Sequence, residues 1–151
     1  MIDLNLSIEG LEQVRATFAK LVPETQQQVL NGMAQVAYDT AQRQADTHTQ
    51  TGAMARSLRL RPEGESAWVI DHDLQAAPHA LFVHFGTKPH LIKPKDKKML
   101  RFPAGKGGGT HFVFARFVKH PGFKGHPYLV EAADEAVKQF DAIVRRVNLE
   151  S

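Results

Sequence analysis

Histidine side chains are the first candidates for chemistry in this chain, because imidazole can bind a metal ion or exchange protons near neutral pH. After His72 their spacings run from five to twenty-one residues, no HExxH pair is present, and no cluster of carboxylates accompanies them. This pattern does not match the ligand spacing of zinc sites. We therefore expect no metal and no cofactor, and scattered surface or turn histidines at seven positions: His72, His79, His84, His90, His111, His120 and His126.

Other catalytic arrangements are excluded or poorly indicated. The chain has no cysteine, which excludes disulfides, thiolate zinc sites and cysteine nucleophiles. It has no GxSxG elbow either. The run GKGGGT at 105–110 differs from a phosphate-binding loop because its lysine precedes the glycines, and we interpret it as a flexible tip. We expect that the protein is not an enzyme.

Positive charge is concentrated in the middle of the chain. Residues 88–124 hold ten Lys and Arg residues against one acid, Asp96, whereas residues 1–87 hold six against ten and residues 125–151 hold three against five. Such a segment is either a solvated charge run or a surface for phosphates or an acidic protein partner. We predict a surface for nucleic-acid phosphates or an acidic protein partner, made of seven side chains: Lys88, Lys93, Lys95, Lys97, Lys98, Arg101 and Lys106.

The elements that would position this surface can be predicted from hydrophobic periodicity. Apolar residues alternate over 2–8, which indicates a half-buried strand. Spacings of three and four residues predict a short helix over 11–21, ended by Pro23, and a longer helix over 24–46. These two helices form a predicted helical half, about residues 11–46.

A predicted sheet half follows, at about residues 57–118. Alternation over 57–61 and 67–71 flanks a Pro-Glu-Gly-Glu turn, which predicts a hairpin. Further strands are predicted at 80–85 and 112–118, and the phenylalanines of this half are expected in the core more than as stacking platforms for bases. The connection between these strands spans about 26 residues rich in Lys, Pro and Gly, which predicts a long basic loop.

A C-terminal amphipathic helix at about 127–148, with Pro127 at its start, completes the prediction. The fold class is therefore α+β, with amphipathic helices packed on one face of a mainly antiparallel sheet. The length predicts a single domain over 1–151. No signal-peptide pattern and no window of ~20 apolar residues is present, so we expect a soluble cytosolic protein without membrane contact.

The order of several short motifs resembles the tail-component family of tailed bacteriophages, also described as neck or tail-completion proteins. The motifs are TGAMARSL from Thr51, FGTKPH at 85–90, IKPK at 92–95, VFARFVKHPG at 113–122 and HPYL at 126–129. They cover nearly the whole chain in order, and His84 stands where the family commonly has an acid. The motif residues carried over are Gly52, Phe85, Gly86, Thr87, Pro89, His90, His120, Pro121, Gly122 and Pro127.

The resemblance implies a virion structural protein at the head–tail junction, assembled in the host cytoplasm. It implies a homo-oligomeric ring, with six subunits expected, that joins the tail terminator or tube proteins to head-side connectors around the DNA channel. Gly86 would allow the turn into the basic loop, and Pro89 and Pro94 would stiffen it. Two alternatives stay open: a small basic nucleic-acid-binding protein, and a ribonuclease-type toxin that uses a histidine with Lys or Arg.

Overall fold

A computed structural model describes residues 10–48, 52–104 and 111–150, with the side chains of residues 149 and 150 left out. The class is α+β, as predicted, and the strand expected over 2–8 lies outside the described residues. The elements in chain order are α1 (Leu11–Phe18), α2 (Pro23–Thr47), α3 (Ala53–Ser57), β1 (Leu58–Glu63), β2 (Ala67–His72), α4 (Ala80–Phe85), β3 (Gly86–Thr87), β4 (His90–Ile92), β5 (Leu100–Pro103), β6 (Phe112–Ala115), β7 (Val118–His120), β8 (Phe123–Lys124), α5 (Tyr128–Lys138) and α6 (Phe140–Glu150).

Helix α2 is the centre of a helical body, and it contacts α3, α5, α6 and both strands of the first hairpin. The prediction of a long helix here is confirmed. Ala41 of α2 packs with Ala132 of α5 and Leu58 of β1. Side chains no larger than methyl groups allow two helix backbones to approach closely. The buried alanines of α2 recur at helical spacing: Ala34, Ala37, Ala41 and Ala45.

Larger side chains fill the part of the body where α1 and α6 pack on α2. Helix α1 ends at Phe18, before the predicted end at Leu21, and Phe18 packs against this second core. Gly32 lies in the middle of α2, where a Cβ would come within 2.8 Å of Ile143 Cγ2. The missing side chain therefore makes room for α6. The buried members of this core are Val29, Phe140, Ile143 and Val147.

The C-terminal helix is two helices and not the single helix predicted. Gln139 separates α5 from α6, with φ −88° and ψ 1°. The apolar stripe continues through this position, from Ala136 to Phe140 and Ile143, all of them buried. Periodicity alone therefore could not indicate the break.

The strand predicted over 80–85 is wrong, because these residues form helix α4. Five of these six residues are apolar, and such a run is compatible with either structure, so only its packing decides between them. Ala80 and His84, one helical turn apart, are both buried. Ala80 joins a core cluster with Tyr128 of α5, and the His84 ring lies edge-on to the Tyr128 ring. Helical spacing thus brings both residues to α5.

The first hairpin is confirmed. Strands β1 and β2 pair antiparallel from Leu58 opposite His72 to Glu63 opposite Ala67. Arg59 and Arg61 both bind the Asp71 carboxylate across the ladder, and these arginines lower the pKa of Asp71. The hairpin packs beside α2, where Ile70 meets the cluster of Ala41 and Leu58.

The remaining strands form a long two-stranded ribbon, defined here as residues 86–124. The described strands make four two-stranded antiparallel ladders and no wider sheet, so the helices do not cover one continuous sheet. Three of the ladders follow one another along the ribbon: β3 with β8, β4 with β7, and β5 with β6. The long basic loop is therefore not confirmed, because 90–92 and 100–103 are strands, and the strand predicted over 112–118 is divided between β6 and β7.

Candidate assembly surface

Glycines allow the two strands of the ribbon to leave the body side by side. Gly86 has φ 79° and ψ −178°, a region that is essentially restricted to glycine. A Cβ on Gly86 would lie 2.4 Å from the carbonyl oxygen of Phe123, and one on Gly125 would lie 2.5 Å from the carbonyl carbon of Phe85. Gly86 therefore serves as a turn residue, although it follows a helix and not the predicted strand.

The strand register places four lysines on a bulge. Near the body Ile92 lies opposite Val118, whereas further along the ribbon Leu100 lies opposite Ala115. Seven residues, 93–99, therefore face two residues, 116 and 117, an excess of five on the outgoing strand. We call residues 93–99 the lysine bulge. It contains Lys93, Lys95, Lys97 and Lys98, all exposed.

The other predicted basic side chains lie along the same ribbon. Lys88 lies between β3 and β4, Arg101 lies in β5, and Lys106 falls outside the described residues. Lys88 and Arg101 are exposed. Within the described residues, neither they nor the bulge lysines make a salt bridge inside the chain. Their charges are therefore available to another molecule.

The ribbon has no core of its own. None of its described residues, 86–104 and 111–124, is buried. The expectation that its phenylalanines lie in the core is wrong, because a two-stranded ribbon has no second layer to cover either face. The exposed large apolar side chains of the ribbon are Leu91, Ile92, Met99, Phe102, Phe112, Val113, Phe114, Phe117 and Phe123.

One face of the β5–β6 ladder combines aromatic rings with positive charge. Arg101 lies opposite Phe114, and Pro103 lies opposite Phe112, so the four residues share a face. The guanidinium carbon of Arg101 lies 3.6 Å from the centre of the Phe112 ring, a cation–π contact. Phe114 is 57% exposed. We call these four residues the aromatic face.

His90 and His120 form a stacked pair near the body end of the ribbon. They lie opposite each other in the β4–β7 ladder, with ring centres 4.9 Å apart. His90 Nδ1 donates to the Lys88 carbonyl at 2.8 Å, whereas His120 Nδ1 accepts from the Gly122 N–H at 3.1 Å. When both rings are neutral, the Nε2 of His90 is therefore an acceptor and the Nε2 of His120 is a donor.

The other motif residues lie at the ends of helices or in and between the short strands of the ribbon. Gly52, with φ 68°, precedes α3, and Pro127 precedes α5. Thr87 lies in β3, and its buried Oγ1 has no hydrogen-bond partner within the described residues. Gly122, with φ 87°, passes close to the carbonyl oxygen of Thr87. Phe85, Pro89 and Pro121 are exposed.

A buried polar chain at the base of the hairpin was not predicted. The Tyr128 hydroxyl donates to His72 Nε2 at 2.5 Å, His72 Nδ1 donates to Ser57 Oγ at 2.8 Å, and Ser57 donates to the Met54 carbonyl. Desolvation lowers the pKa of His72 and raises that of Tyr128 to about 12. His72 is therefore a buried structural histidine, and the expectation of a surface or turn histidine is wrong at this position. Local periodicity could not indicate its burial, because Tyr128, which covers it, lies far away in the sequence.

His48 and His126 form a second chain with Glu131. His126 Nε2 donates to the Glu131 carboxylate at 2.9 Å, and His48 Nε2 therefore donates to His126 Nδ1 at 2.6 Å. No group of three or more metal-ligating side chains that could hold a metal ion occurs among the described residues. Within the same part of the chain, no helix is long and apolar enough to cross a membrane.

No family model, curated protein or solved structure matches this chain. The role of the ribbon must therefore be inferred from its own residues and from the motif order described above.

Proposed function

We propose that this protein is a structural subunit of a homo-oligomeric ring, and that the ring is a neck or tail-completion component of a tailed phage. The observation that carries the proposal is the ribbon of 86–124, which has no buried residue among those described and nine exposed large apolar side chains. Single exposed apolar residues are ordinary, but contiguous apolar patches on a monomer mark interaction sites.

The energy available from covering this ribbon is large. Complete burial of one fully exposed large apolar side chain is worth about 1.5–3 kcal/mol. The nine are 37–57% exposed, so a partner must cover most of them to exceed the cost of association. The protein surface that covers them must also tolerate the positive charge of the ribbon.

A second copy of the chain provides such a surface. The ribbon holds ten Lys and Arg residues against one acid, whereas the segments on either side carry more acids than bases. A contact between two different patches, one basic and one acidic, is heterologous, and heterologous contacts close into rings when the rotation permits. Charge complementarity between the two patches therefore supports a ring, and its six subunits remain a prediction.

The location in the virion rests on the motif order alone. In that role the ring would contact head-side connectors and tail terminator or tube proteins, with DNA passing through its channel. Mass spectrometry of purified virions from the phage that encodes the chain tests this assignment. Presence of the protein in joined particles supports it, and absence from them contradicts it.

Native mass spectrometry tests the ring itself. We expect the wild-type protein to form a discrete oligomer, alone or with a terminator or connector protein. Phe112→Ser with Phe114→Ser should give a monomer with an unchanged circular dichroism spectrum. Val22→Ser, on the body and 60% exposed in the wild type, is the matched control and should assemble normally. A wild-type protein that stays monomeric under all of these conditions would contradict the proposal.

The lysine bulge favours a second candidate function, binding of a nucleic-acid backbone. Its four lysines are exposed and make no salt bridge inside the described chain. Phosphate binding of this kind weakens steeply as salt rises. Fluorescence anisotropy with duplex DNA should show that dependence, and Lys93→Glu with Lys95→Glu should remove the binding. Incubation of the wild-type protein with RNA tests the ribonuclease alternative, and absence of cleavage contradicts it.

A further inference from the structure

A groove of about 670 Å³ lies on the body beside α4, between the first hairpin and α5. Its apolar wall includes Leu74, Leu81 and Phe85, which are 44%, 45% and 49% exposed. Asp71 and Asp73 also line the groove, together with Arg59, which contacts both carboxylates. Arg61 binds the Asp71 carboxylate as well. The groove thus combines an apolar wall with two aspartates, of which Asp73, 3.8 Å from Arg59, is the more weakly paired.

A buried polar atom in the groove has no partner. His84 lines the groove and is only 9% exposed, and its Nδ1 makes no hydrogen bond within the described residues. Burial lowers the pKa of His84, so the ring is neutral at neutral pH. Buried polar atoms of native proteins are normally paired, and a peptide group that reached this buried nitrogen from the groove would supply the missing partner.

The ribbon of the same chain does not fill the groove. None of the described residues of 88–124 lines it, although Phe85, which does, directly precedes the ribbon. The groove and the aromatic face are therefore two separate open surfaces on one subunit. One is apolar with a carboxylate, Asp73, that is only weakly paired with Arg59, and the other is apolar with the guanidinium group of Arg101.

We infer that the groove receives the ribbon of a neighbouring copy, with the aromatic face of 101, 103, 112 and 114 entering it. Phe114 would contact the apolar wall of the groove between Leu81 and Phe85. Arg101 would approach Asp73, whose contact with Arg59 is long at 3.8 Å. This inference rests on the proposed self-association and specifies which two surfaces meet.

Cysteine cross-linking tests the contact directly, because the chain has no cysteine of its own. Phe114→Cys and Leu81→Cys are made in separate proteins, mixed under assembly conditions and oxidised. Phe112→Cys with Leu74→Cys is a second pair, in case one pair has unfavourable geometry. Gln28→Cys, at an exposed position on α2 outside the groove, is the control for random collision.

A disulfide between the ribbon cysteine and the groove cysteine, absent with Gln28→Cys, is the expected result. Assembly at the native mass without either cross-link, or cross-links between two Phe114→Cys subunits alone, would overturn this inference and leave the ring standing. If the unmodified protein does not associate at all, both the ring and this contact are overturned.

A variant of His84 provides an independent measurement. His84→Leu keeps the side-chain size and removes the unpartnered nitrogen, so the free subunit should melt at an equal or higher temperature. Association should nevertheless weaken by up to about tenfold, since the hydrogen bond from the incoming ribbon is lost. An unchanged association constant would remove His84 from the contact, and unchanged association together with absent cross-links would overturn the groove as the docking site.

Discussion

The body and the ribbon use apolar residues in opposite ways. In the body, small side chains such as Ala41 and Ala132 are completely or almost completely buried between elements. In the ribbon, large ones such as Phe114 and Phe117 are more than half exposed. The body is therefore stabilised by contacts within one chain, whereas the ribbon exposes apolar surface that only another molecule can cover.

Hydrophobicity in the sequence therefore indicates burial in the body but not in the ribbon. An apolar residue is buried only if a second layer lies over it, and a two-stranded ribbon lacks that layer on both faces. The junction between the two regions depends instead on backbone contacts at glycines. We expect the free energy of unfolding to fall most for a substitution at this junction and least for one on the ribbon.

Substitution at the junction should have the largest effect. Gly86→Ala combines a strained backbone, worth about 1–3 kcal/mol, with an overlap of its Cβ against the Phe123 carbonyl, worth about 1–3 kcal/mol more. Gly64→Ala is the matched control, because Gly64 also has a positive φ, of 66°, but has open space around it. Urea denaturation should show a clearly larger loss for Gly86→Ala. Equal losses for the two variants would contradict the close approach at the junction.

Enlarging a buried alanine of the body should have the next largest effect. Ala132→Leu forces a branched side chain between α5 and α2 and should lower the free energy of unfolding by about 1–3 kcal/mol. Ala142→Leu, at an exposed position of α6, should change it by less than about 0.5 kcal/mol. Thermal or urea unfolding measures both. A tolerated Ala132→Leu would mean that the two helices are not closely packed.

Acid should destabilise the body through its buried histidines. Burial lowers the pKa of His72 and His84 below the ordinary 6.5. As pH falls below 6.5 the unfolded chain therefore binds protons before the folded chain does, and stability decreases until the folded-state pKa values are passed. Urea midpoints at pH 7.5 and pH 5.5 measure the loss. His72→Gln with His84→Leu should reduce the dependence, and an undiminished dependence would assign it to other groups.

Truncation on the ribbon should have the smallest effect on the free subunit. Phe114→Ala removes a side chain that is 57% exposed, so the free energy of unfolding should change by less than about 0.5 kcal/mol. The measurement is made at a concentration below that of association. A loss above about 2 kcal/mol would mean that Phe114 is covered within its own chain, and the contrast between body and ribbon would fail.

Much of the body could be predicted from the sequence, because its signals are local. Uninterrupted helical spacing indicated α2, and alternation around the turn at Gly64 indicated the hairpin of β1 and β2. Residues 80–85 are misassigned because a short run of mostly apolar residues fits either a strand or a helix. The choice depends on Tyr128, which is more than forty residues away in the sequence.

The sequence indicates which basic residues belong to the candidate site, but it does not indicate how the strands arrange them. Lys93, Lys95, Lys97 and Lys98 were identified by their charge, but their place on a bulge follows from the five-residue offset between two ladders. That offset is a property of strand pairing and leaves no trace in the sequence around either strand. The groove beside α4 was not predicted, because its wall comes from three separate parts of the chain.

Residue types and local patterns in the sequence are enough to predict the α+β class and the position of the positive charge, and they are consistent with a turn at Gly86. These follow from residue type, local periodicity and backbone freedom, which act over a few neighbouring residues. The exposure of the ribbon phenylalanines and the burial of His72 and His84 can be read only from the tertiary structure. Burial depends on which distant elements lie over a residue, and this covering layer is formed by contacts between α4, α5 and the first hairpin that no local pattern encodes.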